Sequence, residues 1–162
     1  MADQCTVRAA RSEDASALRK TEALSFSDPW SEADFEQLLS APGVEGWICW
    51  AGTRLSGYLL VRSAGEAAEI LNLAVAPEFR RRRVARRLLG RGLDTLLARG
   101  VHQVFLEVRR SNRAARALYH RLGFTLAGVR RGYYRKPLED AMVLRRRLDS
   151  SDENDPLEGQ TG

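Results

Sequence analysis

Three side chains in residues 107–140 have the types and spacing for proton transfer: Glu107 ends an apolar strand, Asn112 opens a short helix, and Tyr119 lies two turns along it. An α-amine has a pKa of about 8 and must lose a proton before it attacks an acyl carbon. A carboxylate within reach, directly or through one water, can take that proton. Glu107 is therefore a candidate base, read on the strand face shared with Val101 and Phe105; the plain alternative is an ion pair with a neighbouring Arg. Glu69, at the start of another strand, is the reserve. A phenol of pKa about 10 can protonate a leaving thiolate of pKa about 8.5 in a tight site. Tyr119 also fits a plain core aromatic, four residues after Ala115 and three before Leu122. Asn112 also fits a plain helix cap.

A second stretch, Ile70–Leu89, joins an aliphatic strand closed by Pro77 to an arginine run (Arg80, Arg81, Arg82, Arg83) and a helix N-terminus. The unpaired N–H groups and positive dipole end of a helix favour an anion, and arginines pair with phosphate oxygens. A solvated basic turn ahead of a helix fits the same residues.

A sheet must position these groups. Cys5–Ala9 reads as a first strand, and Ser12 predicts the cap of a helix from Glu13 with Ala17, Leu18, Thr21 and Leu24–Ser25 as its stripe. The segment Phe26-Ser27-Asp28-Pro29-Trp30 breaks that helix. Ser31 and Asp34 form a shortened capping box for a second one, turning Phe35, Leu38 and Leu39 inward until Pro42-Gly43. Val44–Ala51 and Leu55–Ala64 predict strands around a Gly52-Thr53 turn, and Glu66–Ala76 a third. Val84, Leu88, Leu89, Leu93, Leu96 and Leu97 share one helical face, with Gly100 as a left-handed stop. Val101–Val108 is a strand with Val104, Leu106 and Val108 on one face. The Asn112 helix runs to Gly123, and Phe124–Val129 and Ala141–Leu148 are the last strands. This order predicts an α+β domain with a partly open sheet.

Composition bounds the class. With 162 residues, 44% of them hydrophobic, the chain can bury one core, read as a single domain over 1–148. The net charge of +5 is uneven: residues 149–162 carry five acids and no Lys or Arg, leaving 26 basic and 16 acidic residues, or +10, in the body. The tail is expected to be disordered. The basic body reads as a solvated Arg-rich surface, with a nucleic-acid face as the sharper alternative. Cys5 and Cys49 are too few for a disulfide framework and lack metal-ligand spacing, so they read as reduced thiols. No apolar run approaches the roughly 20 residues of a bilayer span, and the N-terminus carries no leader pattern. A soluble, cytoplasmic protein without a metal is expected. His102 and His120 read as surface residues.

Residues 69–89, EILNLAVAPEFRRRRVARRLL, resemble the acyl-CoA-binding segment of the GCN5-related N-acetyltransferase (GNAT) superfamily, with Arg80 and Ala85 at the ends of its Arg/Gln-x-x-Gly-x-Gly/Ala signature and Arg83 where the middle glycine is usual. Asp28-Pro29-Trp30-Ser31, Leu106-Glu107-Val108-Arg109, Ser111-Asn112, Ala117-Leu118-Tyr119, Leu122-Gly123-Phe124, Arg131, Tyr133-Tyr134 and Glu139-Asp140-Ala141 together resemble its RimI-like branch, over about residues 5–147. The resemblance implies a mixed, mostly antiparallel twisted sheet of six to seven strands with four helices, splayed between the fourth and fifth strands. It implies acetyl transfer from acetyl-CoA to the N-terminal alanine of a small-subunit ribosomal protein, by direct attack in a ternary complex. Other amine acceptors (a polyamine, an amino acid, an antibiotic) and an RNA-binding module are the alternatives.

On that reading Glu107 is the base and Tyr119 the acid. Leu73, Ala74, Val75, Arg80, Arg81, Arg82, Arg83, Val84, Ala85 and Asn112 hold the acyl donor, with the Val75 N–H on the thioester carbonyl and Asn112 on the pantetheine arm. Trp30, Tyr133 and Tyr134 flank the peptide entrance, and Glu139 and Asp140 meet basic side chains of the acceptor. A monomer that requires no nucleic acid is expected.

Overall fold

The computed structural model describes residues 5–149. Among them the strands are β1 (Thr6–Ala9), β2 (Val44–Ala51), β3 (Arg54–Ala64), β4 (Ala67–Val75), β5 (Gln103–Arg109), β6 (Thr125–Arg135) and β7 (Leu138–Arg147). The helices are α1 (Ala15–Ser25), α2 (Glu32–Ser40), α3 (Val84–Ala98) and α4 (Arg113–Arg121). One sheet holds all seven strands in the order β1-β2-β3-β4-β5-β7-β6. Every pairing is antiparallel except β4–β5, which is parallel and confined to Ala67–Glu69 against Gln103–Phe105. Beyond that seam the C-terminal halves of β4 and β5 diverge. The expected splay between the fourth and fifth strands is present.

A bulge contributes to the opening. The β3–β4 register pairs Leu60 with Asn72 but Val61 with Ile70, so Leu71 is the extra residue. Bulges bend a strand and increase its twist, here just where β4 leaves β5. The bulge also shifts the alternation: Ile70 joins the core under α3 and α4, whereas Leu71 packs on the core under α1 and α2.

Those two cores cover opposite faces of the sheet. Leu88, Leu89, Leu93 and Leu96 of α3 bury against Leu59, Val61, Val104, Leu106 and Val108. Leu18 and Phe35 bury against Ile48, Tyr58 and Leu60 on the other side. Each fully buried Leu or Phe stabilises by about 1.5–3 kcal/mol. The helix α3 lies close on β3 because Gly57 offers no side chain: a Cβ there would sit 2.7 Å from the Ala74 carbonyl oxygen and 3.0 Å from Val84. Arg146, buried in β7, donates from Nη1 to the Leu122 carbonyl at 2.8 Å, which satisfies a C-terminal carbonyl of α4.

The Ser31–Asp34 capping box is present with both reciprocal bonds, and Gly100 closes α3 at φ 91°. Four expectations are corrected. The first helix begins at Ala15, because Ser12–Asp14 is a 3-10 turn in which Asp14 accepts the Arg11 N–H at 2.7 Å and holds Arg8. Val101 does not share a face with Glu107; it lies before β5 and is buried in the α3-side core. The last hairpin is longer than read, so Tyr133 and Tyr134 are strand residues; β6 is an exposed, Arg-rich edge strand, and such charge hides strand periodicity. Cys5 and Cys49, read as separate thiols, are neighbours across the sheet, Cα–Cα 5.6 Å, a separation that accommodates a disulfide, because the β1–β2 register brings the segments together. The acidic tail expected at 149–162 lies, apart from Asp149, outside the described residues.

Candidate active site

Alternation along β5 turns Val104, Leu106 and Val108 into the core under α3 and α4. It therefore turns Phe105, Glu107 and Arg109 to the opposite face. There Glu107 lines a cavity of about 340 Å³ with Arg62, Glu69, Phe105, Arg130 and Val143. Glu107 Oε1 lies 2.8 Å from Arg130 Nε, a pair in which the arginine is 60% exposed. An ion pair so open to water contributes about 0–1 kcal/mol and leaves the carboxylate free to exchange partners. The Glu107 carboxylate beside the Tyr133 hydroxyl holds the phenol above its usual pKa.

Tyr119 lies on the other face of the sheet. It is 8% exposed in the α3-side core, edge-on to Phe124 with centroids 5.7 Å apart. Burial pushes its phenol well above the ordinary value, so it is fully protonated at neutral pH and able to donate. Base and acid candidates thus lie on opposite faces of the sheet, beside the strands that diverge between β4 and β5. Asn112 caps α4, its Oδ1 accepting the Ala115 N–H at 3.1 Å.

The open edge of β4 supplies backbone donors. The Ala76 N–H bonds the Ser56 carbonyl of β3 at 2.8 Å, and Gly57 pairs with Val75. In an antiparallel ladder the next residue back faces away, so the Val75 N–H points toward the gap. So does that of Leu73, but Asn72 Oδ1 accepts it at 3.0 Å. Ala74, between them, is buried under α1 and α2. Arg80 Nε donates to the Val75 carbonyl at 3.2 Å, fixing the end of β4.

The turn into α3 fits a phosphate group. The first backward bond of the helix runs from the Arg87 N–H to the Arg83 carbonyl at 3.0 Å, so the N–H groups of Val84, Ala85 and Arg86 belong to the unsatisfied first turn. Arg80, Arg81, Arg82 and Arg83 are all exposed around it. Arg82 also lies over the Phe79 ring at 5.8 Å. Arg83, standing where the resembling family has glycine, is the N-cap of α3 with φ 64° and ψ 17°. Arg81 too has φ 63°. The left-handed conformation that glycine adopts freely is retained here by arginines, at a cost of about 1–3 kcal/mol each.

The residues expected to face the acceptor come from two distant segments. Trp30 is half-buried, 5.5 Å from Phe35. Tyr134 lies under the Arg109 guanidinium at 4.0 Å and edge-on to Tyr133 at 5.1 Å. Both acids are engaged within the chain. Glu139 accepts the Ser111 N–H, which holds its pKa below the usual range, and lies 3.5 Å from Arg109. Asp140 accepts the Gly132 N–H at 2.9 Å and lies 3.9 Å from Arg110. Together they fasten the β6–β7 hairpin to the β5–α4 turn.

Sequence reasoning missed Arg130, Arg109, Glu22, Tyr58 and Asn72. Only Glu22 left a signal: it falls four residues after Leu18, on the buried stripe of α1, where an unpaired acid is costly.

Known proteins share this fold and much of the sequence. N-alpha-acetyltransferase RimI of Mycobacterium tuberculosis is 38% identical over 153 residues, 91% of this chain and 94% of its own length. The ribosomal protein bS18-alanine N-acetyltransferase of Escherichia coli is 33% identical over 141 residues, 86% of this chain and 95% of its own. The crystal structure of the ribosomal-protein-alanine N-acetyltransferase from Escherichia coli superposes with a TM-score of 0.83 at 31% identity, covering 93% of this chain and 98% of that one. The family model of the GNAT acetyltransferases matches residues 15–124, and the chain belongs to the acetyltransferase (GNAT) family.

Proposed function

We propose that this chain transfers an acetyl group from acetyl-CoA to the α-amine of a protein N-terminus, an alanine of a small-subunit ribosomal protein, as the names of its relatives describe for them. One observation carries the reading: Glu107 lines an open cavity on one face of the sheet while Tyr119 is buried and protonated on the other, across a gap edged by the Val75 N–H.

Acetyl-CoA supplies the activated acyl carbon as a thioester. Glu107 takes a proton from the acceptor ammonium, freeing the nitrogen lone pair. As the C–N bond forms, the Val75 N–H donates to the carbonyl oxygen, where negative charge develops. As the C–S bond breaks, the nitrogen loses its second proton to solvent, and Tyr119 gives its hydroxyl proton to the thiolate and is reprotonated from solvent. Arg80, Arg81, Arg82, Arg83 and the N–H groups of Val84 and Ala85 hold the phosphates, while Leu73, Ala74 and Asn112 line the path of the pantetheine arm. Trp30, Tyr133 and Tyr134 form the two sides of the acceptor entrance. Glu139 and Asp140 act by fixing the β6–β7 hairpin, and meet basic acceptor side chains with the lone pairs left over. The reaction needs no metal.

The test uses the protein with acetyl-CoA and two peptides read by mass spectrometry. One has a free N-terminal alanine followed by Arg; the other is N-terminally blocked and carries lysines. Acetylation of the first alone is expected. Transfer only to lysine rejects the α-amine assignment.

A further inference from the structure

We propose that Glu22 is a positioning residue that ties the loop carrying Trp30 to the open edge of β4, so that acceptor binding, and not acyl-donor binding, depends on it. The proposal rests on the acceptor reading above. Glu22 lies in the last two turns of α1, outside the groups given roles in proton transfer, and is only 2% exposed. Its Oε2 accepts from the Tyr58 hydroxyl of β3 and, at 2.6 Å, from Asn72 Nδ2 of β4. Asn72 Nδ2 also lies 2.9 Å from the Tyr58 oxygen. Glu22 Oε1 accepts the Trp30 N–H at 3.4 Å. Asn72 Oδ1 in turn accepts the Leu73 N–H.

These bonds form one continuous path from the Trp30 N–H, through Glu22 and the Asn72 amide, to the Leu73 N–H. The path ends on the same open edge as the Val75 N–H, two residues away. A Leu or Met at position 22 would fill the same space without the desolvation that raises the Glu22 pKa. An acid is needed because three donors from three elements converge on it and none of the three can accept in its place: the Trp30 amide, the Asn72 amide nitrogen and the Tyr58 hydroxyl, which already faces the Asn72 nitrogen. Capping of Leu73 by Asn72 also removes the rival donor beside Val75. The network therefore sets where the Trp30 wall stands, and the Leu73 cap belongs to the Asn72 amide oxygen rather than to Glu22.

Glu22→Gln keeps the size but turns one of the two acceptor atoms into a donor. The experiment measures amide exchange of Trp30 by NMR in the protein alone, acceptor KM and kcat with the alanine peptide, and the acetyl-CoA Kd by calorimetry. Exchange at Trp30 should accelerate while α3 amides stay unchanged. Acceptor KM should rise about tenfold, the scale of one lost hydrogen bond to a charged group, with the acetyl-CoA Kd unmoved. Tyr58→Phe, which removes a single donor and keeps the carboxylate, should shift both readouts the same way by less. It carries the test should Glu22→Gln not fold. Unchanged Trp30 exchange overturns the proposal. So does a lower kcat and melting temperature with an unaltered KM, the pattern of a purely structural acid. A wild-type protein that leaves the alanine peptide untouched sinks the acceptor assignment instead. Trp30 exchange, measured without acceptor, then decides the anchor alone: acceleration upholds it and no change overturns it.

Discussion

The two sides of the β4–β5 gap are built differently. The proposed donor side, from Val75 to the first turns of α3 and α4, consists largely of backbone groups: outward N–H groups of β4, the unsatisfied N–H groups of α3 and a capped α4. Its geometry follows from local conformations spaced closely in the chain. The acceptor side is assembled from side chains far apart in sequence, with Glu107 on Arg130, Arg109 on Tyr134, Glu139 on the Ser111 N–H and Glu22 on Tyr58. A backbone-built wall tolerates changes of side chain. That is how Arg83 can stand in a glycine position while the turn is retained. A wall built of paired side chains changes shape with each partner, so acceptor choice is the property most exposed to substitution.

The sharpest test strikes the seam between the two sides. Tyr119→Phe and Glu107→Gln should each lower kcat by about 10²–10⁴-fold, the usual scale of acid–base catalysis, with the acetyl-CoA Kd by calorimetry unchanged. A Tyr119→Phe protein with full kcat would move the acid elsewhere and leave Tyr119 a core aromatic. On the donor side, Arg83→Gly should raise the unfolding free energy from denaturant titration by about 1 kcal/mol, since glycine removes left-handed strain but adds chain entropy. A loss of stability would show that the side-chain contacts of Arg83 outweigh the strain, and that this wall is not indifferent to side chains. On the acceptor side, Arg109→Ala removes the stack on Tyr134 and the partner of Glu139. It should cost about 1 kcal/mol, read as a several-fold higher acceptor KM with donor affinity intact. Equal losses of both affinities would erase the division into two sides.

The smallest effect is on pH. Burial raises the Glu22 pKa above its ordinary value of 4.5. A raised folded pKa means the folded state binds the proton more tightly, so this contribution is fully present below pH 4.5 and is lost as pH rises through the higher value. Thermal melts across that range should show a downward trend in wild type that Glu22→Gln flattens. An identical trend in both proteins would assign it to other groups.

Helix faces and turns were legible in the chain because they are local. The α3 stripe of Leu88, Leu89, Leu93 and Leu96, the Ser31–Asp34 box and the Gly100 stop each depend on residues within a turn or two. The Asn112 cap and the placement of Glu107 at the end of a strand were readable for the same reason. Edge strand β6 was cut short, since exposed arginines and a register shift between Arg130 and Tyr134 erase alternation.

By itself the sequence determined which groups are available: a carboxylate closing a strand, a capped helix carrying a phenol, and an arginine turn ahead of a helix. Only the tertiary structure decided who meets whom. The bulge at Leu71 and the short β4–β5 pairing open the gap, and strand register brings Cys5 to Cys49 and Arg130 to Glu107. The folding of α1 onto β3 and β4 buries Glu22 among its three donors. Spacing along a chain encodes periodicity within an element, whereas the choice of partner between elements depends on register and packing that no short window of residues contains.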